Sequence, residues 1–317
     1  MRRSESTLRA YLELLRLPNV FTAIADVMMG YWFVTWSPLR QELPPANPGI
    51  LLLLVCSTSC LYLAGMVLND YFDRSKDMRE RPTRPIPSRR VPESAALWMG
   101  SELVIFGIAL AWLVSFFAAT PLTGLTAFLL ACAVIFYDGY FKKTSFGPIG
   151  MGICRMLNVL MGMTAAGGGP LSWQTVHYLV AGGIGMYVVG ITWFARTEAV
   201  ESRRSHLIAS LLVMLLGLAT LASFPNLLPS NETLVASGIN VWYAFWSLIA
   251  LQIVWRCGRA IYRPAPDSVQ FAVKTCLLSL IVLDATVIFA VQGQEKALFL
   301  LALLIPTLFL GRFIYST

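Results

Sequence analysis

Apolar runs of about twenty residues recur along the chain with short polar loops between them. They fall at approximately 17–37, 50–69, 95–118, 120–138, 147–168, 174–196, 206–224, 236–257, 269–291 and 295–315. Each is near the ~20 residues a helix needs to cross a bilayer core, so the pattern predicts an all-α, polytopic membrane bundle of nine to ten transmembrane helices. The thinnest division lies within 95–138, where Pro121 and Gly124 are the only breakers between two apolar runs. Residues 1–317 read as a single integral-membrane domain.

Composition agrees with the pattern. Hydrophobic residues make up 57% of the 317 and charged residues only 13%, far from the balance of a soluble domain. Lys and Arg gather in alternate loops: Arg2 to Arg16, Arg74 to Arg90, Lys142 and Lys143, Arg196 to Arg204, and Arg256 to Arg263. Those loops are expected in the cytoplasm, which makes this a multi-pass protein of the cell (cytoplasmic) membrane with both termini inside. The net charge of +7 is therefore a positive-inside signature, and no nucleic-acid partner is expected. Met1-Arg2-Arg3 before an apolar run resembles a secretory leader, but Pro18, Asn19 and Asp26 interrupt that run, so a retained first helix is expected. Six cysteines without zinc or disulfide spacing and only two histidines, His177 and His206, argue against zinc-hydrolase and haem chemistry.

The densest chemistry lies at the polar end of the second run, Asn69-Asp70-Tyr71-Phe72-Asp73-Arg74-Ser75-Lys76-Asp77. If the helix continues, Asn69, Asp73 and Asp77 lie at i, i+4 and i+8, with Asp70 at i+3 from Asp73, so all four can converge on one side. Such hard oxygen ligands suit Mg²⁺. Downstream, Arg79, Arg81, Arg84, Arg89 and Arg90 alternate with Pro82, Pro85 and Pro87, a loop of guanidiniums suited to phosphate oxygens. The plainer alternative is a juxtamembrane charge cluster.

A second polar cluster, Arg196-Thr197-Glu198-Ala199-Val200-Glu201, closes the sixth run about 125 residues later, which suggests pseudo-repeated helical halves. Glu198 and Glu201 are i, i+3 neighbours and candidates for a second metal; they also fit a solvated loop face. Metal ions between two such clusters would neutralise an allylic diphosphate while the apolar bundle holds its tail, and aromatics such as Tyr62 and Tyr137 offer cation–π walls. Asp26, Glu102, Arg155, Asn158 and Asp284 fall inside apolar runs, where ionisable groups are functional candidates. Arg155 and Asn158, one turn apart, suit either a substrate or an interhelical hydrogen-bonded pair. For Asp26 and Asp284 a structural hydrogen bond to a neighbouring helix is expected. Gly167, Gly168 and Gly169 read as a turn.

Asn69-Asp70-x-x-Asp73-x-x-x-Asp77, the following Arg81-Pro82-Thr83-Arg84-Pro85-Ile86-Pro87-Ser88, Arg16-Leu17-Pro18-Asn19, and Tyr137 with Lys142-Lys143 together resemble the UbiA superfamily of intramembrane prenyltransferases. Leu278-Ser279-Leu280-Ile281-Val282-Leu283-Asp284-Ala285 is similar to a segment of its EboC branch. The resemblance implies a helical bundle around a central lipid-open cavity, Mg²⁺ as cofactor, an isoprenyl diphosphate donor, and a lipophilic or aromatic acceptor drawn from membrane lipid. It implies metal binding by Asn69, Asp70, Asp73 and Asp77, charge neutralisation by Arg84, Lys142 and Arg196, and substrate contacts from Arg16, Asn19 and Tyr137, while Arg155 and Asn158 are substrate-contact candidates by their placement in the fifth run alone. The family's second motif resembles Lys-Asp followed by a further Asp; here Arg196 and Thr197 stand in its place, with Glu198 and Glu201 supplying the acids. A non-catalytic binder or carrier of a small metabolite is the competing reading.

Overall fold

The computed structural model describes residues 7–35, 46–166, 173–196, 202–228 and 238–313. These contain α1 (Thr7–Leu15), α2 (Val20–Thr35), α3 (Pro48–Glu80), α4 (Glu93–Phe117), α5 (Leu122–Gly139), α6 (Gly147–Ala165), α7 (Thr175–Ala195), α8 (Arg204–Ser223), α9 (Ile239–Tyr262), α10 (Pro266–Gln292), α11 (Gln294–Ala302) and α12 (Leu304–Phe313). No strand occurs among the described residues. Consecutive helices pack side by side from α3 through α10, and α10 returns onto α2. The centre is built on α2, α6, α7 and α10, whose buried residues run along most of their lengths.

The outer helices carry the opposite burial pattern. Trp98, Ile105, Phe106 and Phe116 on α4, Phe128 and Phe136 on α5, and Leu248 and Trp255 on α9 are exposed. That much apolar surface suits contact with lipid tails. Eight helical segments among the described residues are long and apolar enough to cross a membrane. All ten predicted runs are helical within the described residues, but α6, which carries Arg155 and Asn158, and the Trp- and Tyr-rich α9 fall outside those eight. The division within 95–138 falls between Phe117 and Leu122, where Ala119 turns the chain with φ 50°.

The start of the bundle departs from expectation. A separate amphipathic helix, α1, precedes the first apolar run and buries Ala10 and Leu14. It meets α2 at a break where Arg16 is left-handed (φ 46°, ψ 45°) and Leu17–Asn19 form one 3₁₀ turn. Pro18 suits the start of that turn because its missing N–H would be unsatisfied there.

At 33 residues, α3 is about 50 Å long at 1.5 Å per residue, well beyond a ~30 Å hydrocarbon core. Its surplus carries the Asn69–Asp77 stretch out of the apolar layer. Asn47 caps its start, accepting hydrogen bonds from the N–H groups of Gly49 (2.8 Å) and Ile50 (3.4 Å). At its far end, Ile86 and Val91 of the Arg/Pro loop pack with Ala10 and Leu14 of α1, Val67 of α3 and Ala96 of α4. This small apolar cluster seats the loop over the carboxylates.

In the core, a Cβ at Gly30 of α2 would collide with the Val159 carbonyl of α6, and one at Gly162 with the Val27 carbonyl of α2. The two backbones approach through these glycines, as small residues allow between membrane helices. Gly162→Val is expected to destabilise the bundle by about 3 kcal/mol, because backbone atoms cannot yield as a side chain does. Denaturant unfolding in detergent micelles would register the change, with Gly182→Val as control, since that position has open space beside it.

Candidate active site

The four oxygen-bearing side chains of the 69–77 stretch lie on one continuous helix, as their spacing predicts, but they divide into two pairs around two cations. Arg84 Nη1 donates to Asp77 Oδ2 (2.7 Å) and Asp70 Oδ1 (3.3 Å). Lys142 Nζ donates to Asn69 Oδ1 (2.6 Å) and lies 2.9 Å from Asp73 Oδ2. Arg16 adds a bond of 2.5 Å from Nη2 to Asp70 Oδ1. Among the described residues no group of three acidic, His or Cys side chains is drawn together as a closed metal centre. The physical reason lies in the charges: carboxylates near the partially negative C-terminal end of α3 repel one another and collapse onto the nearest cations.

Three different elements deliver those cations. The left-handed Arg16 turns the guanidinium from the end of α1 toward α3. Arg84 stands in the loop after α3, closed by the bond from Arg84 N–H to the Arg81 carbonyl (3.1 Å) and from Val91 N–H to the Pro85 carbonyl (3.1 Å). Lys142 belongs to the single 3₁₀ turn Phe141–Lys143 after α5. Arg90 reinforces the assembly, reaching Glu13 of α1 at 2.8 Å.

Asp138 is the residue that sequence reasoning missed. It is buried at the end of α5, with Oδ1 3.9 Å from Lys142 Nζ. Its position one helical turn before Lys142 was the available signal. Lys142 thus stands among oxygens from Asn69, Asp73 and Asp138, a donor set of the hard type that Mg²⁺ prefers.

Behind this polar mouth a narrow cavity of about 70 Å³ enters the bundle. Asn69 and Asp138 stand at its polar end, Leu61, Leu130 and Val134 supply apolar wall, and Tyr62, Tyr137, Arg155 and Asn158 also line it. Arg155 is both a lining residue and an interhelical tie. Its Nη1 reaches Asp26 Oδ2 at 2.5 Å, its Nη2 donates to Thr22 Oγ1 at 2.7 Å, and its guanidinium lies 5.4 Å from the Tyr62 ring centroid. Asn158 accepts from Thr58 (2.5 Å) and donates to the Ala23 carbonyl (2.8 Å).

Other expected residues lie elsewhere. Arg196, at the end of α7, donates to the Ser145 carbonyl at 3.4 Å and joins neither cation-bridged pair. Asn19 lines a different cleft, between the 17–19 turn, α10 and α12. Glu198 and Glu201, with Thr197, lie outside the described residues, as do Gly167, Gly168 and Gly169. Glu102 is exposed on α4 rather than turned into the bundle. Asp26 makes the interhelical contact expected of it, and Asp284, fully buried on α10, faces Asp26 of α2 within hydrogen-bonding reach, a carboxyl–carboxylate contact between neighbouring helices.

Residues 30–270 match the UbiA prenyltransferase family, and the chain belongs to that family. A digeranylgeranylglyceryl phosphate synthase from Methanoregula boonei is 27% identical over 76% of this chain and 86% of its own length. Another from Methanococcoides burtonii is 32% identical over 44% of this chain, and the match spans 48% of that relative's length. The fold is similar to that of a UbiA homologue from Archaeoglobus fulgidus bound to GPP and Mg²⁺, with a TM-score of 0.59, 13% identity, and coverage of 87% of this chain and 99% of the other.

Asp26→Asn is expected to cost about 3–5 kcal/mol, because it leaves the Arg155 guanidinium buried without its counter-charge. Asp284→Asn is expected to cost less than about 1 kcal/mol, since the new amide can donate to Asp26 in place of the carboxyl. Unfolding free energies of the two variants in micelles would separate the roles.

Proposed function

We propose that the protein transfers a prenyl group from an isoprenyl diphosphate to a lipophilic acceptor. The observation that carries this reading is the junction of two cation-bridged oxygen pairs with the polar end of an apolar cavity. A diphosphate head and an isoprenoid tail need such a junction. The Archaeoglobus fulgidus homologue bound to GPP and Mg²⁺ supports the same assignment.

Asn69, Asp70, Asp73 and Asp77 would hold Mg²⁺, with Asp138 as a further oxygen donor and Glu198 and Glu201 as the second metal corner. Bound there, Mg²⁺ supplies positive charge against the leaving diphosphate. Arg16, Arg84 and Lys142 bind diphosphate oxygens, exchanging their carboxylate partners for phosphate ones. Arg196 takes part from the α7 end. The C1–O bond of the donor breaks to leave diphosphate, and the acceptor's nucleophilic atom bonds to C1 and loses a proton. Tyr137 and Tyr62 present ring faces where positive charge develops at carbon, and the apolar wall excludes water from it. Met66 and Met151 also line the cavity, and their flexible chains let it widen for the tail.

The acceptor enters from membrane lipid; an aromatic ring or the hydroxyl of a glyceryl phosphate lipid both supply a suitable nucleophile, the second by analogy with the digeranylgeranylglyceryl phosphate synthases. The carboxylate end of the bundle is assigned to the cytoplasmic side of the cell membrane, with both termini inside.

Purified protein with lipid extract is expected to release pyrophosphate from geranyl, farnesyl or geranylgeranyl diphosphate only when Mg²⁺ is present. Asp73→Asn should lower that release by about 100-fold or more without changing the unfolding midpoint. Metal-dependent donor binding with no release on any extract would instead favour a carrier.

A further inference from the structure

We infer that the cleft between the Leu17–Asn19 turn, α10 and α12 is a binding site for the phosphate headgroup of an anionic membrane lipid. The cleft measures about 240 Å³ and lies apart from the central cavity. It opens at the carboxylate end of the bundle, because Asn19 lines it and Arg16, three residues earlier, bonds to Asp70. α12 packs directly on the Leu17–Asn19 turn and so forms its outer wall.

Its chemistry is cationic. Lys274 of α10 and Arg312 of α12 both line it, together with the amides of Asn19 and Gln270 and the hydroxyls of Thr22 and Thr307. Among the described residues no carboxylate lines the cleft. The contrast with the rest of this region is sharp: Arg16, Arg84, Lys142 and Arg155 each meet a carboxylate, whereas Lys274 and Arg312 meet none among the described residues. Two exposed cations sharing one cleft at the headgroup end of membrane helices are complementary to an anion.

A lipid fits better than free phosphate. Lys274 lies eight residues into α10, about 12 Å from its start, a depth suited to the boundary between headgroups and acyl chains. Val273, Leu277 and Leu308 provide an apolar floor beneath the cations. Ile305 and Phe309 on α12 are exposed beside it, as a lipid-facing surface requires. A polar head over an apolar floor is the shape of an amphiphile, and a bare anion would leave the floor unused.

The cleft and the cavity share a wall. Thr22 lines the cleft, and its Oγ1 accepts the hydrogen bond from Arg155, which lines the central cavity. A lipid seated here would fix α12 against the turn that carries Arg16. The assignment is independent of the proposed prenyl transfer and can be tested without it.

Native mass spectrometry of the full chain, titrated separately with phosphatidylglycerol, phosphatidylcholine and inorganic phosphate, tests the site. Phosphatidylglycerol is expected to bind about tenfold or more tightly than phosphatidylcholine, and phosphate alone to compete weakly. The preference should vanish in Lys274→Gln/Arg312→Gln, persist in the charge-keeping Lys274→Arg, and be unchanged in Lys296→Gln. Each single Gln variant should lower it, which keeps the test decisive if the double variant fails to fold. Equal binding of the two lipids, displacement by millimolar phosphate, or a preference surviving in folded Gln variants would each overturn the assignment.

Discussion

Acidic side chains at the negative end of a long helix must be neutralised, and that requirement organises this end of the protein. Asp70, Asp73 and Asp77 lie in the last third of α3, where the peptide dipoles add to their mutual repulsion. Three separate elements bend to supply the positive charge. The chain adopts a left-handed residue at Arg16, folds the Arg/Pro loop back over the helix, and places Lys142 on a single tight turn. The apolar contacts among Ala10, Leu14, Ile86 and Val91 hold these pieces in register, so the cations are fixed by packing as well as by charge.

The same balance recurs inside the bundle at greater cost. Arg155 and Asp26 are buried between α6 and α2, where an unpaired charge would be severely destabilising, and Thr22 and the Tyr62 ring complete the guanidinium's surroundings. The close approach through Gly30 and Gly162 lets these short polar contacts form across the α2–α6 interface. Arg155 therefore links the helix packing at the centre to the wall of the central cavity, and through Thr22 to the cleft lined by Lys274 and Arg312.

Much of this was legible in the sequence. Helical spacing alone placed Asn69, Asp70, Asp73 and Asp77 at the end of one continuous helix, though not their division into two pairs. It could not tell that Arg84 would take Asp70 and Asp77 while Lys142 took Asn69 and Asp73, since partners from other elements are set by the fold. α1 escaped the reading of apolar runs because its buried residues are a sparse stripe on nine residues, too short to register as a span. Asp138 was hidden by the apolar run it ends. Asp284 and Glu102 looked alike in sequence, yet one is fully buried beside Asp26 and the other faces outward; hydropathy does not encode which way a helix is rotated.

The central claim is that the carboxylates now neutralised by Arg84 and Lys142 exchange those cations for metal when a diphosphate arrives. Electron paramagnetic resonance titration of Mn²⁺, standing in for Mg²⁺, with and without an unreactive thiolodiphosphate analogue of the donor, tests it most directly. The account predicts weak Mn²⁺ binding by the protein alone, strong binding when the analogue is present, and loss of that gain in Asp70→Asn/Asp77→Asn. Mn²⁺ binding that ignores both the analogue and the carboxylates would contradict it.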